Sequence, residues 1–280
     1  MEERLEGKFV KVDDNHFIDL AVEVISKAKD KGITLRILGA LSIFIHTDDK
    51  ELRNLFYSLE RLGEGKPLFT DLDLAAYSKQ TPLIKKFFEQ ELKFIPNIYV
   101  NTLFAYRRNI FDHPQGFFGV DIFYDRLEFS HNVEFGTLPG KGRLDIDFPT
   151  IPLSDIVLEK LQIHKINKKD IIDLIVLFAG HKLSSTEEKE GINSEYICRI
   201  LSDDWGFYYD AILNLAKVKE LSKEFFKNGK LPEETFNKVD RTISMLAESI
   251  EQTPKTRNWE KRAKRGIDIP WYRDVEEVDR

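Results

Sequence analysis

The chain changes character near residue 150, and that change restricts its architecture more than any other feature. From Asn97 to Phe148, aromatic and branched residues crowd into short runs such as Asn97–Phe111, Gly116–Phe129 and Gly142–Phe148. Turn residues (His113-Pro114-Gln115-Gly116, Gly136, Pro139-Gly140) separate these runs, which reads as β structure. After Pro152 the chain becomes helical to about residue 254, with Phe236, Val239, Ile243, Leu246 and Ile250 at helical spacing. Upstream, 16–30 reads as a helix, with Phe17, Leu20, Ala21, Val24 and Ala28 on one face, Asp13 and Asp14 as caps and Gly32 as a stop. Ile33–Leu38 reads as a strand ending at Gly39; Leu41–His46, Asp49–Leu62 and 81–92 read as helices. An α/β half (1–150), a helical domain (151–254) and a basic, charged tail (255–280) are predicted, with no internal repeat.

Composition narrows the function classes. The apolar runs Ile37–Ile45 and Ile171–Ala179 are too short for the roughly 20 apolar residues of a membrane span. The N-terminal stretch MEERLEGKFVKVDD has mixed charge and no apolar core, so no secretory signal is read and a cytoplasmic location is expected. The single cysteine, Cys198, sits in an apolar helical stretch and reads as an inert buried thiol. With 42 basic and 48 acidic residues the formal charge is −6, which argues against a general duplex-DNA binder. The basic run Lys255–Arg265 reads first as a solvated tail or helix end and second as a nucleic-acid-contacting arm. No P-loop, dinucleotide-binding, zinc-protease or serine-hydrolase motif is present.

The chemistry-bearing segment is Thr70-Asp71-Leu72-Asp73-Leu74. Carboxylates two apart on a strand project to the same face, roughly 6–7 Å apart at the backbone. Like charges so placed call for a cation, and hard oxygen donors suit Mg²⁺ together with substrate phosphates. Asp145-Ile146-Asp147 repeats the pattern, with Arg143/Asp145/Asp147 alternating against Leu144/Ile146/Phe148. Val120-Asp121-Ile122-Phe123 adds an isolated acid on a further alternating strand.

This order resembles the nucleotidyltransferase superfamily that includes DNA polymerase β, and within it the AbiEii-like nucleotidyltransferases. The residues carrying the resemblance are Ile37-Leu38-Gly39-Ala40-Leu41-Ser42, Phe69-Thr70-Asp71-Leu72-Asp73-Leu74, Leu158-Glu159-Lys160-Leu161-Gln162 and Lys169-Asp170-Ile171-Ile172-Asp173-Leu174, within about residues 15–215. Asp204-Trp205-Gly206-Phe207-Tyr208-Tyr209 is similar to an uncharacterised bacterial branch. The resemblance implies an α/β fold, a nucleotidyltransferase-like mixed sheet with flanking helices, followed by the helical C-terminal domain. It implies transfer of a nucleoside monophosphate from an NTP to a hydroxyl or nucleic-acid end, in a toxin-like role. Asp71, Asp73 and a third acid, Asp121 ahead of Asp145/Asp147, would hold two Mg²⁺ ions. Gly39, Ser42 and Lys160 would bind nucleotide phosphates. Implied partners are an NTP, a tRNA or small hydroxyl compound as acceptor, and a cognate antitoxin, with no membrane.

Departures are visible too. Gly39-Ala40 stands where the family carries a second glycine or a serine, and no arginine precedes Thr70, leaving Lys66 or Arg61 as substitutes. Competing readings stay open: Lys160 as a surface lysine, and Lys169, Asp170 and Asp173 as an ion-paired or capping cluster. His131, near the site mouth or structural, His164 and His181 as structural histidines, and the Asp204–Tyr209 segment as packing or base stacking complete the candidates. A non-catalytic nucleotide- or protein-binding module on the same fold is the alternative function.

Overall fold

The computed structural model describes residue 10 and residues 12–274. Most of the charged N-terminal stretch and the last six residues of the tail therefore lie outside the described residues. In chain order the elements begin with α1 (Asp14–Asp30), β1 (Leu35–Ile37), α2 (Gly39–His46), α3 (Lys50–Ser58) and β2 (Asp71–Ala76). Next come α4 (Thr81–Lys86), β3 (Ile95–Pro96), α5 (Ile98–Leu103), β4 (Arg108–Asp112), β5 (Gly119–Tyr124), β6 (Arg126–Glu128) and β7 (Asn132–Glu134). The remainder holds α6 (Leu153–Leu161), α7 (Lys168–Gly180), β8 (Lys182–Ser184), β9 (Gly191–Asn193), α8 (Ser194–Leu201), α9 (Trp205–Lys227), α10 (Glu233–Gln252) and α11 (Arg257–Ala263).

The chain divides into two compact units. One holds the chain up to Leu41, Pro67–Arg126 and Glu134–Ile151; the other holds Ser42–Lys66, Leu127–Val133 and the chain from Pro152. The cut near 150 is thus one boundary among several, and two earlier segments join the helical unit.

The first unit is built on a five-stranded mixed sheet in the order β1-β2-β5-β4-β3. β1 runs antiparallel to β2, β2 parallel to β5, and β4 antiparallel to both β5 and β3. Alternation along the strands sets two faces. Leu72, Leu74, Ala76, Val120, Ile122 and Tyr124 point one way and are buried. α1 forms because Asp13 accepts from the backbone N–H groups of Asn15 and His16, both at 3.1 Å, and because Phe17, Ala21, Val24, Ile25 and Ala28 bury one stripe.

Two segments depart from the expected β structure. Ile98–Leu103 is a helix, opened by the Asn97 side chain accepting from Val100 N–H at 3.1 Å. Arg143–Asp145 is a single 3₁₀ turn rather than a strand. Its Asp145 carboxylate accepts from Gly142 N–H (3.2 Å) and from the Tyr77 hydroxyl (2.7 Å), local bonds that compete with a ladder.

The second unit is helical, with a two-stranded parallel pair, β8–β9. Val239, Ile243, Leu246 and Ile250 form the buried stripe of α10. The tail carries the short helix α11 and stays half-buried to exposed as far as Asp274. The Lys255 ammonium donates to the Thr253 carbonyl at 3.0 Å and to the Ile250 carbonyl at the end of α10. Arg262 lies over the Trp205 ring and donates to the Gly266 and Ile269 carbonyls. Among the described residues no helix is long and apolar enough to cross a membrane.

Candidate functional site

The three aspartates come together on one face of the sheet. Asp73 and Asp121 are direct register partners across the parallel β2–β5 pair, and Asp71 lies opposite Gly119. Neighbouring strands lie about 4.8 Å apart, so in-register side chains of the same facing stand side by side. Asp71 and Asp73 are half-buried, whereas Asp121 is 1% exposed.

A basic residue that the sequence reading did not single out completes the cluster. Arg108, at the start of β4, donates Nε to both oxygens of Asp121 (2.8 and 3.0 Å), while its Nη2 donates to Oδ2. Such a forked pair fixes the orientation of the carboxylate. Burial alone would lower the Arg108 pKa, but Asp121, then Asp73 and Asp71, outweigh it and raise it. Alternation groups Arg108 with Ile110 and Asp112, and the β4–β5 register, which alternation alone does not fix, puts them on the face of Asp121.

The strand–helix junction is pinned beside this cluster. Leu38 N–H donates to the Asp73 carbonyl at 2.9 Å, and the chain then turns at Gly39 with φ +67° into α2. That backbone conformation favours glycine at position 39. Ala40 follows inside the helix and is buried. Ser42 is fully buried, so its hydroxyl is not presented to solvent. Thr70 donates to Asp71 at 2.8 Å.

Other candidates have different roles. Asp145 receives the Tyr77 hydroxyl; burial pulls its pKa up, but Tyr77 and backbone N–H donors prevail and leave it lowered. The Arg36 guanidinium donates to the backbone carbonyl of Asp147.

Lys160 is not a surface lysine. It is buried in the helical unit, 2.8 Å from Asp170 and 3.1 Å from Asp173, and Arg61 forks onto Asp173 at 2.6 and 3.0 Å. Burial lowers the Lys160 pKa, but Asp170, Asp173 and Glu159 outweigh it, so the ammonium is held charged. Arg61 is therefore engaged within the helical unit, Lys66 and Lys169 are exposed, and Asp170 and Asp173 form the ion-paired cluster.

The histidines form two further groups. Asp210, buried in α9, accepts from His131 Nε2 (2.8 Å), His164 Nδ1 (2.9 Å) and Trp271 Nε1 (3.1 Å). His46 and His181 approach the same Glu190 oxygen at 3.2 and 3.6 Å; burial, then His46, lowers the His181 pKa.

The Asp204–Tyr209 segment opens α9 and packs. Asp204 caps Phe207 N–H at 3.0 Å, Trp205 and Phe207 are buried, and Tyr209 stacks on Trp205. A Cβ on Gly206 would meet the Trp271 carbonyl at 2.6 Å, so the close backbone approach requires glycine. Tyr208 donates to Glu251 at 2.6 Å, and burial with that carboxylate pushes its pKa up to about 12. Cys198 is buried, and burial raises its pKa.

The arrangement offers half-buried carboxylate oxygens beside a glycine turn and a helix start, with a guanidinium on the deepest acid. No family model matches the chain, and no curated protein or solved structure matches it.

Proposed function

We propose that the protein is a Mg²⁺-dependent nucleotidyltransferase that uses the β2–β5 face as its active site. The observation that carries this reading is the register of Asp73 against Asp121, with Asp71 two residues before Asp73. The pinned turn at Gly39, beside the Asp73 backbone, adds a backbone suited to phosphate.

The donor chemistry fits a hard divalent ion at Asp71 and Asp73, with substrate phosphates completing its shell. Asp121 would join that donor set only with an oxygen released by Arg108, because the guanidinium engages both of its oxygens. When bound, the ion would supply charge neutralisation for the triphosphate and lower the pKa of an acceptor hydroxyl. The reaction forms a bond from the acceptor oxygen to the α-phosphorus and breaks the bond from that phosphorus to the bridging oxygen. Pyrophosphate leaves, and the hydroxyl proton passes to a carboxylate of the cluster or to water. Asp71 and Asp73 orient the nucleotide, and Arg108 holds Asp121 in place until substrate arrives. A tRNA end or a small hydroxyl compound as acceptor, a toxin-like role with an antitoxin, and a cytoplasmic setting extend this reading.

A second reading is favoured by the Arg108 fork itself. Among the described residues no group of three or more histidines, cysteines or acids is arranged to hold a metal. A nucleotide-sensing module would keep the fork closed and bind phosphate without turnover. Purified protein with labelled NTPs, Mg²⁺ and total RNA or small hydroxyl acceptors separates the two. Label transfer with pyrophosphate release supports the enzyme. Nucleotide binding without product, across all four bases, supports the sensor.

A further inference from the structure

Beyond α11 the chain runs over the helical unit, and three consecutive residues of it are each gripped differently. Trp271 meets Trp205 and Tyr209 edge-on, with ring centroids 6.3 and 5.3 Å apart, and its Nε1 donates to Asp210 at 3.1 Å. Its carbonyl would lie 2.6 Å from a Cβ at position 206, so Gly206 shapes the seat. Tyr272 stacks on the His164 ring with centroids 3.5 Å apart. Arg273 donates Nε to the Phe129 carbonyl (3.0 Å) and Nη2 to the His131 carbonyl (2.8 Å) and the Asn132 side chain. The Arg273 backbone N–H donates to the Ser130 carbonyl at 3.0 Å.

The floor under this segment is polar. Asp210 accepts from His131 on one oxygen and from His164 and Trp271 on the other. His164 donates through Nδ1, which leaves the lone pair of the neutral ring on Nε2. Its side chain is 21% exposed, against 3% for His131. A purely structural seam would gain more from apolar groups than from a buried carboxylate and two imidazoles. The cover itself is light. Trp271 and Tyr272 are half-buried and Arg273 is exposed. The approach, Ile267–Pro270, is exposed and held by Arg262, which donates to the Gly266 (2.9 Å) and Ile269 (2.8 Å) carbonyls. Lifting the segment returns a carboxylate, imidazoles and backbone carbonyls to water, which places it among the parts of a fold that open locally.

We propose that Trp271–Arg273 is a releasable strap, which fills in cis a peptide-binding groove of the helical unit and covers His164. The groove takes the chemistry of the strap itself: a protein segment with two aromatic residues followed by an arginine. Asp210 and Gly206 select the indole, the His164 ring selects the second aromatic, and the carbonyls of Phe129 and His131 select the guanidinium. A tethered segment acts at high effective concentration, so an outside peptide enters once the strap's own contacts are weakened. The strap lies within one unit and does not rest on the nucleotidyl-transfer reading.

The test uses the full chain and diethyl pyrocarbonate, which carbethoxylates accessible imidazoles, read by mass spectrometry of the histidine peptides. His16, exposed on α1, is the internal reference. Trp271→Ala with Arg273→Ala should raise the rate at His164 at least about tenfold relative to His16, through the loss of several hydrogen bonds. The free peptide Ile-Pro-Trp-Tyr-Arg-Asp, residues 269–274, should restore protection to that variant, and a scrambled peptide of the same composition should not. Hydrogen exchange of the unaltered chain gives a second readout that needs no variant. The Arg273 amide should exchange at least about tenfold faster than that of Leu215 on the buried face of α9. Unchanged His164 reactivity in the variant, equal protection by both peptides or by neither, or exchange of Arg273 at the rate of Leu215 would overturn the proposal.

Discussion

Arg108 and Lys160 are both basic residues set among carboxylates, one in each unit, and they close their clusters to different degrees. Lys160 and Arg61 meet Asp170 and Asp173 inside the helical unit, where Asp173 has no accessible surface. The charged groups there are almost wholly buried against one another. Arg108 also meets a buried acid, Asp121, yet Asp71 and Asp73 on the same face are half-buried and reachable. A closed ion-pair network holds helices together; an acidic face left open to solvent can take a ligand. Lys160 is buried among carboxylates of its own unit, whereas Asp71 is half-buried on the sheet.

The largest expected effect tests the closed cluster. Asp173→Ala leaves Lys160 and Arg61 buried without their shared carboxylate and should cost about 3–5 kcal/mol in urea unfolding. A cost near zero would erase the contrast between the two regions.

The acid limb sharpens the same point. Burial pulls the Asp173 pKa up, but Lys160 and Arg61 outweigh it, so the folded value lies below the unfolded one. Its contribution is therefore complete above an unfolded value of about pH 3.9 and is lost as pH falls through the folded value. Asp173→Asn should flatten stability against pH in that acidic window and leave the slope between pH 6 and 8 unchanged (a window set by roughly the histidine range).

Arg108→Gln should cost less, about 1.5–3 kcal/mol, because Arg108 is partly exposed and loses a charge-assisted fork rather than a sealed network. Equal losses at Arg108 and Asp173 would show that both clusters are structural. Gly39→Ala forces a Cβ into the left-handed region and should cost about 1–2 kcal/mol by calorimetry. The smallest stability effect belongs to Asp73→Asn, where lost repulsion from neighbouring carboxylates offsets lost attraction to Arg108; its melting temperature should change little while the proposed nucleotidyl transfer disappears.

Much of this was legible in the sequence, for identifiable reasons. The α1 stripe, the strand before Gly39 and the alternation of Asp71–Leu74 and Val120–Phe123 are local patterns; they appear in the structure with Ile25 in place of Leu20 in the stripe and the strand shortened to Leu35–Ile37. Ile98–Leu103 was misleading because branched and aromatic residues mark a half-buried strand surface, whereas here they sit exposed on a short capped helix. Arg143–Phe148 alternates well, yet Asp145 bonds locally and bends the chain. Lys160 is buried against Asp170 and Asp173, and Asp173 is shared with Arg61, more than one hundred residues away in sequence, a pairing no spacing rule reveals. Arg108 shares the face of Asp121 through the β4–β5 register, which strand alternation alone does not fix.

The most direct measurement of the central claim is a crystal grown with Mn²⁺ and a non-hydrolysable NTP, examined for anomalous density. Manganese is expected on Asp71 and Asp73, with the α-phosphate in contact and the Arg108 fork to Asp121 opened. Nucleotide bound away from the β2–β5 face, or no manganese at those carboxylates in saturating nucleotide, would contradict that claim.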